Sequence, residues 1–261
     1  MNVHIDKLLS LKDNCAVVIG GKGKIGYPMA EALAESGARV YIASPSAKDK
    51  DKSMMKLQKR GLKVFGRLLN QSNESEIESL ISSIKNEYKT PNILINSGVI
   101  RPMKKFLDDD STAWERSMEV NAKGLFLTCR TFAKAMKNHG GGSIINIASI
   151  YGIVAPDPSI YEGTDIDTEP DYSYTKGGMI MFSKYMAAYF AQYGVRVNCI
   201  APGGMFDNQD ESFIEKYIQK VPMKRMAYPD DMKGVAVFLA SSASKYITGA
   251  VIPVDGGLTI I

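Results

Sequence analysis

Histidine is nearly absent from this chain, with two in 261 residues. His4 and His139 have no partner set, which argues against a His-based metal site and a Ser-His-Asp hydrolase. Both read as surface residues. Cysteine is equally scarce. Cys15, Cys129 and Cys199 are widely spaced, odd in number and without a C-x-x-C pair, so neither a disulfide framework nor a zinc site is indicated. Each lies in an apolar stretch and reads as a buried free thiol in a reducing cytoplasm. No window approaches the ~18–20 apolar residues of a membrane span, and residues 1–14 lack the apolar core of a signal peptide. An excess of one charge is also missing. The 32 basic and 28 acidic residues leave +4, too little to argue for nucleic acid but tolerant of an anionic ligand.

What is present is a globular balance, 45 % hydrophobic and 23 % charged, in a length that suits one large α/β domain over 1–261. Short Val- and Ile-rich runs at 16–19, 40–43, 64–65, 93–95, 144–147, 195–200 and 250–254 are almost uniformly apolar, as strands buried on both faces must be. Amphipathic stretches at 25–35, 50–60, 74–87, 112–136, 171–192 and 230–240 predict helices between them. Strand–helix alternation of this kind gives a doubly wound Rossmann sheet of about seven parallel strands with helices on both faces. Residues 156–170 break the rhythm with no pattern of either kind.

The first predicted strand runs into Gly20-Gly21-Lys22-Gly23-Lys24-Ile25-Gly26 and then a helix. Gly21, Gly23 and Gly26 satisfy G-x-G-x-x-G in the strand–turn–helix setting a dinucleotide pyrophosphate requires. Lys22 and Lys24 beside a helix N-terminus are unfavourable unless an anion binds there; they read equally well as solvated loop lysines.

These residues open an ordered series. Gly20, Gly23 and Gly26 are followed by Asn96-Ser97-Gly98, Asn121-Ala122-Lys123-Gly124, Ser149, Tyr172-Ser173-Tyr174-Thr175-Lys176, Asn198, Pro202-Gly203 and Val254-Asp255-Gly256-Gly257. In that order they resemble the short-chain dehydrogenase/reductase family over nearly the whole chain. The resemblance implies a hydride transfer between a nicotinamide dinucleotide and a hydroxyl/ketone pair. It departs from the family pattern at Ile19, Lys24, Asn70 and Asp207 or Asn208, all on the cofactor side. Ser-Ile-Tyr-Gly-Ile-Val-Ala-Pro, the Tyr-Glu-Gly-Thr stretch and Pro-Gly-Gly-Met-Phe-Asp-Asn-Gln resemble the branch linked to flagellin and nonulosonate sugar modification.

The chemistry explains the residue types. An alcohol that loses a hydride must also lose a proton, and a free Tyr, with a pKa of about 10, is too weak a base near neutrality. Lys176 lies four residues beyond Tyr172, on the same helix face, and its charge favours the phenolate. Tyr174 has Gly178 at that offset and is a decoy. Ser149, ending a strand, is placed to hydrogen-bond the substrate oxygen. The resemblance adds a contact from Lys176 to the nicotinamide ribose and a water held by Asn121 as a proton relay. Taken together, Asn121, Ser149, Tyr172 and Lys176 form the catalytic set. The cofactor set is Gly20, Gly23, Lys24, Ile25, Gly26, Ser44, Asn70, Asn96, Gly98, Tyr172, Lys176, Pro202 and Gly203.

Ser44 stands where a carboxylate would hold a ribose 2′-OH and repel a 2′-phosphate. NADP is therefore favoured over NAD, although Pro45 occupies the place of the usual Arg and Ser44 can also bond the 2′-OH. The 157–170 insert carries Asp157, Glu162, Asp165, Asp167 and Glu169, with Asp171 just beyond it, and no Lys or Arg lies among them. It reads as a solvated acidic loop, or as a border of the substrate mouth suited to sugar hydroxyls or an amine. Arg101, Tyr151, Tyr161 and Asp207 are candidate substrate contacts, and 204–224 a substrate loop and helix. A dinucleotide-sensing scaffold without turnover, or a nucleotide-sugar epimerase, are the competing readings. Surplus apolar residues in 112–136 and 171–192 predict a homodimer or homotetramer.

Overall fold

The computed structural model describes residues 3–49, 51–164 and 168–261. Asp165 and Asp167 of the acidic insert, the residue opening the predicted 50–60 helix, and residues 1–2 lie outside them. Seven strands form one sheet: β1 (Cys15–Ile19), β2 (Arg39–Ser44), β3 (Val64–Leu68), β4 (Ile93–Asn96), β5 (Gly142–Ile147), β6 (Val195–Pro202) and β7 (Val251–Val254). Their order is β3-β2-β1-β4-β5-β6-β7 and every pairing is parallel. The order reverses between β1 and β4, so a crevice opens at the C-terminal ends of those strands, where doubly wound sheets take ligands.

The helices are α1 (Ile5–Leu9), α2 (Gly26–Glu35), α3 (Lys52–Lys59), α4 (Glu74–Glu87), α5 (Ser111–Ser117), α6 (Gly124–Lys137), α7 (Pro170–Phe190), α8 (Glu211–Lys220) and α9 (Lys233–Ala240). They form two layers. On one face Ile77, Ile84, Phe132, Met136 and Met179 pack over Cys15, Val17 and Val197. On the other, Met29, Leu33, Met54, Leu57 and Leu239 pack over Ala16, Val18 and Ile42. Alternate β1 residues thus serve opposite cores, and for this reason the strand is apolar throughout.

The structure corrects several boundaries. The stretch 112–136 is not one α-helix: Met118–Lys123 is a π-helical turn between α5 and α6. Such a turn absorbs one extra residue. Here it presents the amide of Asn121 to the backbone of Ile100, accepting from its N–H at 3.0 Å and donating to its carbonyl at 2.8 Å. β6 runs past residue 200 to Pro202, and α9 is preceded by a 3-10 turn at Pro229–Met232. The patternless insert contains one turn of 3-10 helix, Pro158–Ile160. α8 occupies the predicted 204–224 segment; its Asp210 cap accepts from the N–H groups of Ser212 and Phe213.

Candidate active site

A cavity of about 930 Å³ runs across the C-terminal edge of the sheet. Its first half is built from backbone. Gly20 has φ +72°, and a Cβ there would lie 2.6 Å from the Gly98 nitrogen. The loop after β1 and the loop after β4 therefore touch through their main chains, which only glycine permits. Gly26, the first residue of α2, lies beneath this loop, so the helix N-terminus opens toward the cavity. Gly20, Gly23, Lys24, Ile25, Ser44, Asn70, Gly98, Pro202 and Gly203 all line it. Ser44 ends β2 and is nearly buried. This backbone cradle with a helix N-terminus behind it fits a dinucleotide pyrophosphate.

Of the predicted cofactor residues, Gly26 and Asn96 do not line the cavity; Gly26 packs under the loop at Gly20. Asn96 is buried, donating to Asn146 Oδ1 at 2.7 Å and to the Cys129 sulfur, and so ties β4 to β5. Lys24 pairs with Asp207 across the mouth of the groove. Lys22 donates to Asp51 at 2.8 Å and to the Ser46 carbonyl at 3.1 Å. The loop lysines are thus neutralised by acids from other segments, which motif spacing cannot show.

The second half is made of side chains. β5 delivers Ser149, and a short turn at Ile150–Gly152 follows. A Cβ on Gly152 would lie 2.7 Å from the backbone of Lys176, so glycine lets this turn rest directly on α7. That contact brings Ser149, Tyr172 and Lys176 into one wall of the cavity. Lys176 is 5 % exposed, and its Nζ donates to the Ile147 carbonyl at 2.5 Å and sits 5.4 Å from the centre of the Tyr172 ring. Arg101, projecting from the segment after β4, places its guanidinium 4.1 Å from the same centre. Burial pushes the Tyr172 hydroxyl up, but the charges of Lys176 and Arg101 and hydrogen bonding with Ser149 and Arg101 outweigh it, and the pKa falls below the ordinary value. Burial in turn lowers Lys176, opposed by Tyr172.

The other phenols of the cavity behave oppositely. Burial pushes Tyr217 up to about 12. Tyr151 and Tyr161 share a hydrogen bond through their hydroxyls, and burial raises both. In all three, burial favours the neutral phenol. Thiolate chemistry finds no candidate: Cys15, Cys129 and Cys199 are buried, and burial pushes the Cys129 thiol up to about 12.

Asn121 is not in the cavity wall. Both ends of its amide are engaged, with Ile100 and with Ser117 Oγ at 3.0 Å, so its side chain fixes the exit of β4. Sequence reasoning missed Gln71, whose amide donates to the Val120 carbonyl at 3.0 Å, and Tyr217, which accepts from Gly204 N at 2.5 Å. Phe213 and Tyr217, both facing the cavity from α8, were detectable by their i, i+4 spacing.

The family model described as enoyl-(acyl carrier protein) reductase matches residues 21–259. Galactitol 2-dehydrogenase (L-tagatose-forming) from Cereibacter sphaeroides is 31 % identical over 252 residues, covering 94 % of this chain and 95 % of its own. A short chain dehydrogenase from Leptospira borgpetersenii with bound NAD+ superposes with a TM-score of 0.85 at 35 % identity, covering 99 % of this chain and 97 % of its own. A gluconate 5-dehydrogenase from Burkholderia cenocepacia in complex with NADP and tartrate gives 0.87 at 27 %, covering 99 % and 100 %. With the glycine cradle, the parallel seven-stranded sheet and the Ser149–Tyr172–Lys176 wall already in place, these matches settle the descent: the chain belongs to the short-chain dehydrogenase/reductase family, an oxidoreductase acting on CH–OH groups.

Proposed function

We propose that this enzyme interconverts a secondary alcohol and a ketone on a sugar-derived polyol or sugar acid, with Tyr172 as acid and base. The position of Tyr172 between two cations, Lys176 and Arg101, carries the reading. A nicotinamide cofactor held by Gly20, Gly23, Ile25 and Gly98 would supply the hydride acceptor or donor for the carbinol carbon. In the oxidative direction the Tyr172 phenolate accepts the hydroxyl proton as the C=O bond forms. Ser149 donates a hydrogen bond to the substrate oxygen, and Lys176 holds the phenolate by its charge. Asn121 acts on these groups indirectly, by fixing Ile100 and with it the segment that carries Arg101.

The cofactor reading is NADP(H). β2 ends in Ser44 rather than a carboxylate, and the nearby Asp51 is already paired with Lys22. The chain is also read as a homo-oligomer. α7 buries one apolar stripe and leaves Met181, Tyr185 and Tyr189 outward, and α6 adds the exposed Phe126; light scattering at micromolar concentration should give at least a dimer mass. The sugar-modification branch suggested by sequence remains a proposal on its motifs alone. A screen of polyols, sugar acids and their keto forms with both cofactors, followed at the nicotinamide absorbance, tests the function. Turnover confined to other substrate classes would overturn it.

A further inference from the structure

We infer that Arg101 is the anchor for a carboxylate on the substrate, so that the preferred substrate is a polyhydroxy acid and not a neutral polyol. The inference rests on the function proposed above and narrows it. The cations lining the cavity, among the described residues, are Lys22, Lys24, Arg101 and Lys176. Three are committed. Lys22 bonds Asp51, Lys24 pairs with Asp207, and Lys176 is buried on the Ile147 carbonyl.

Arg101 is in a different condition. It is ion-paired with Glu169, whose Oε2 lies 3.6 Å from Nε, and hydrogen-bonds Tyr172, contacts that use only part of its five N–H donors. The Arg101 side chain is 52 % exposed, so its guanidinium faces the cavity with donors to spare. Burial raises the Glu169 pKa, opposed by the charges of Arg101 and Lys104.

The anchor is also held in place. Ile100, the residue before Arg101, is gripped at both its N–H and its carbonyl by the buried Asn121. A guanidinium projected from a fixed backbone presents a planar fork that matches a carboxylate. It lies over the Tyr172 ring, so an acid bound there would have its hydroxyl-bearing carbons near the Tyr172 hydroxyl. Tyr151 and Tyr161 offer neutral hydroxyls along the same wall. One cation beside one carboxyl group suits a monoanion better than a phosphate dianion.

The test compares D-gluconate with D-glucitol, which share a carbon skeleton and differ at the terminal carboxylate. Arg101→Met should lower kcat/KM for gluconate by about 100-fold relative to glucitol, mainly through KM, as loss of a charged hydrogen-bonding pair does. Arg101→Lys should fall between. Any effect of Arg101 on Tyr172 itself acts on both substrates and cancels in the ratio. An unchanged ratio overturns the anchor, as does wild-type turnover of glucitol without gluconate, which leaves the proposed function standing. If neither is turned over, the function fails on these probes and calorimetry decides the anchor. Gluconate binding to cofactor-loaded wild type that is lost in Arg101→Met supports it; absent or equal binding overturns it.

Discussion

The two halves of the cavity are built by different means. The cofactor half is main chain: Gly20 against Gly98, a helix N-terminus, and Ser44 at a strand end. The substrate half is side chains converging from β5, α7, α8 and the segment after β4. A backbone cradle restricts its residues through sterics and so leaves a readable motif. Converging side chains are restricted by tertiary contacts, which have no fixed spacing. Charge divides the halves too. The glycine-loop lysines are neutralised locally, whereas Lys176 and Arg101 both act on one phenol.

The sharpest break of this comparison sets two phenols of the substrate half against each other. Tyr172→Phe removes the transferable proton and should lower kcat by roughly 1,000-fold or more while nucleotide binding survives, since general acid–base groups contribute about 10²–10⁴. Tyr217→Phe should cost less than about tenfold, because that hydroxyl only holds Gly204 N and stays neutral to about pH 12. Comparable losses would show that the cations do not distinguish the two.

The pH profile sharpens the same point. Alcohol oxidation needs the Tyr172 phenolate, so the rate should rise as pH passes upward through its pKa and be lost below it. Because that pKa is lowered, the midpoint should fall below the ordinary tyrosine value of about 10. Lys176→Met removes one lowering charge and should move the midpoint upward. A midpoint that stays put, measured on kcat/KM, would assign the base to another group.

In the cofactor half, Ser44→Asp should weaken NADPH binding at least tenfold and leave NADH binding unchanged or tighter. Like charges about 4 Å apart repel by on the order of 4 kcal/mol at an effective dielectric of about 20, before salt screening. Equal fluorescence titrations of NADPH in the two proteins would remove Ser44 from the 2′-phosphate site.

The smallest effect concerns the cost of the side-chain half. Asp171 is wholly buried in the first turn of α7, and neither carboxylate oxygen has a hydrogen-bond partner among the described residues. A buried polar group left without a hydrogen bond costs about 1–3 kcal/mol. Asp171→Ala removes it and should raise Tm by ~2 °C. A lowered Tm in differential scanning would mean that the side chain is satisfied in place.

The fold was legible because parallel strands buried on both faces are largely apolar, as Ala16–Ile19 within β1 is at every position; β6 interrupts its run with Arg196 and Asn198, whose side chains donate to the Leu239 and Ile247 carbonyls. Tyr172, Lys176 and Ser149 were legible because one lies four residues from another on a helix and the third lies two residues past the end of a strand. Asn96 and Asn121 were recognised as residues but not in their contacts, since an amide that bonds Asn146 or Ile100 is fixed by distant chain. The Lys24–Asp207 pair, 183 residues apart by their numbers, is likewise a product of folding. The tight pairing of Tyr151 with Tyr161 depends on an insert whose course carries no periodic signal.

A one-residue deletion in the π-helical turn at Met118–Lys123 would release Asn121 from Ile100. It would restore regular α-helical winding and leave α5 and α6 near their present facing, because the wide turn absorbs the extra residue. Most surface helices absorb such a change by fraying at an end. This one has its irregularity in the middle, where the local winding of the helix and the aim of Arg101 are the same variable.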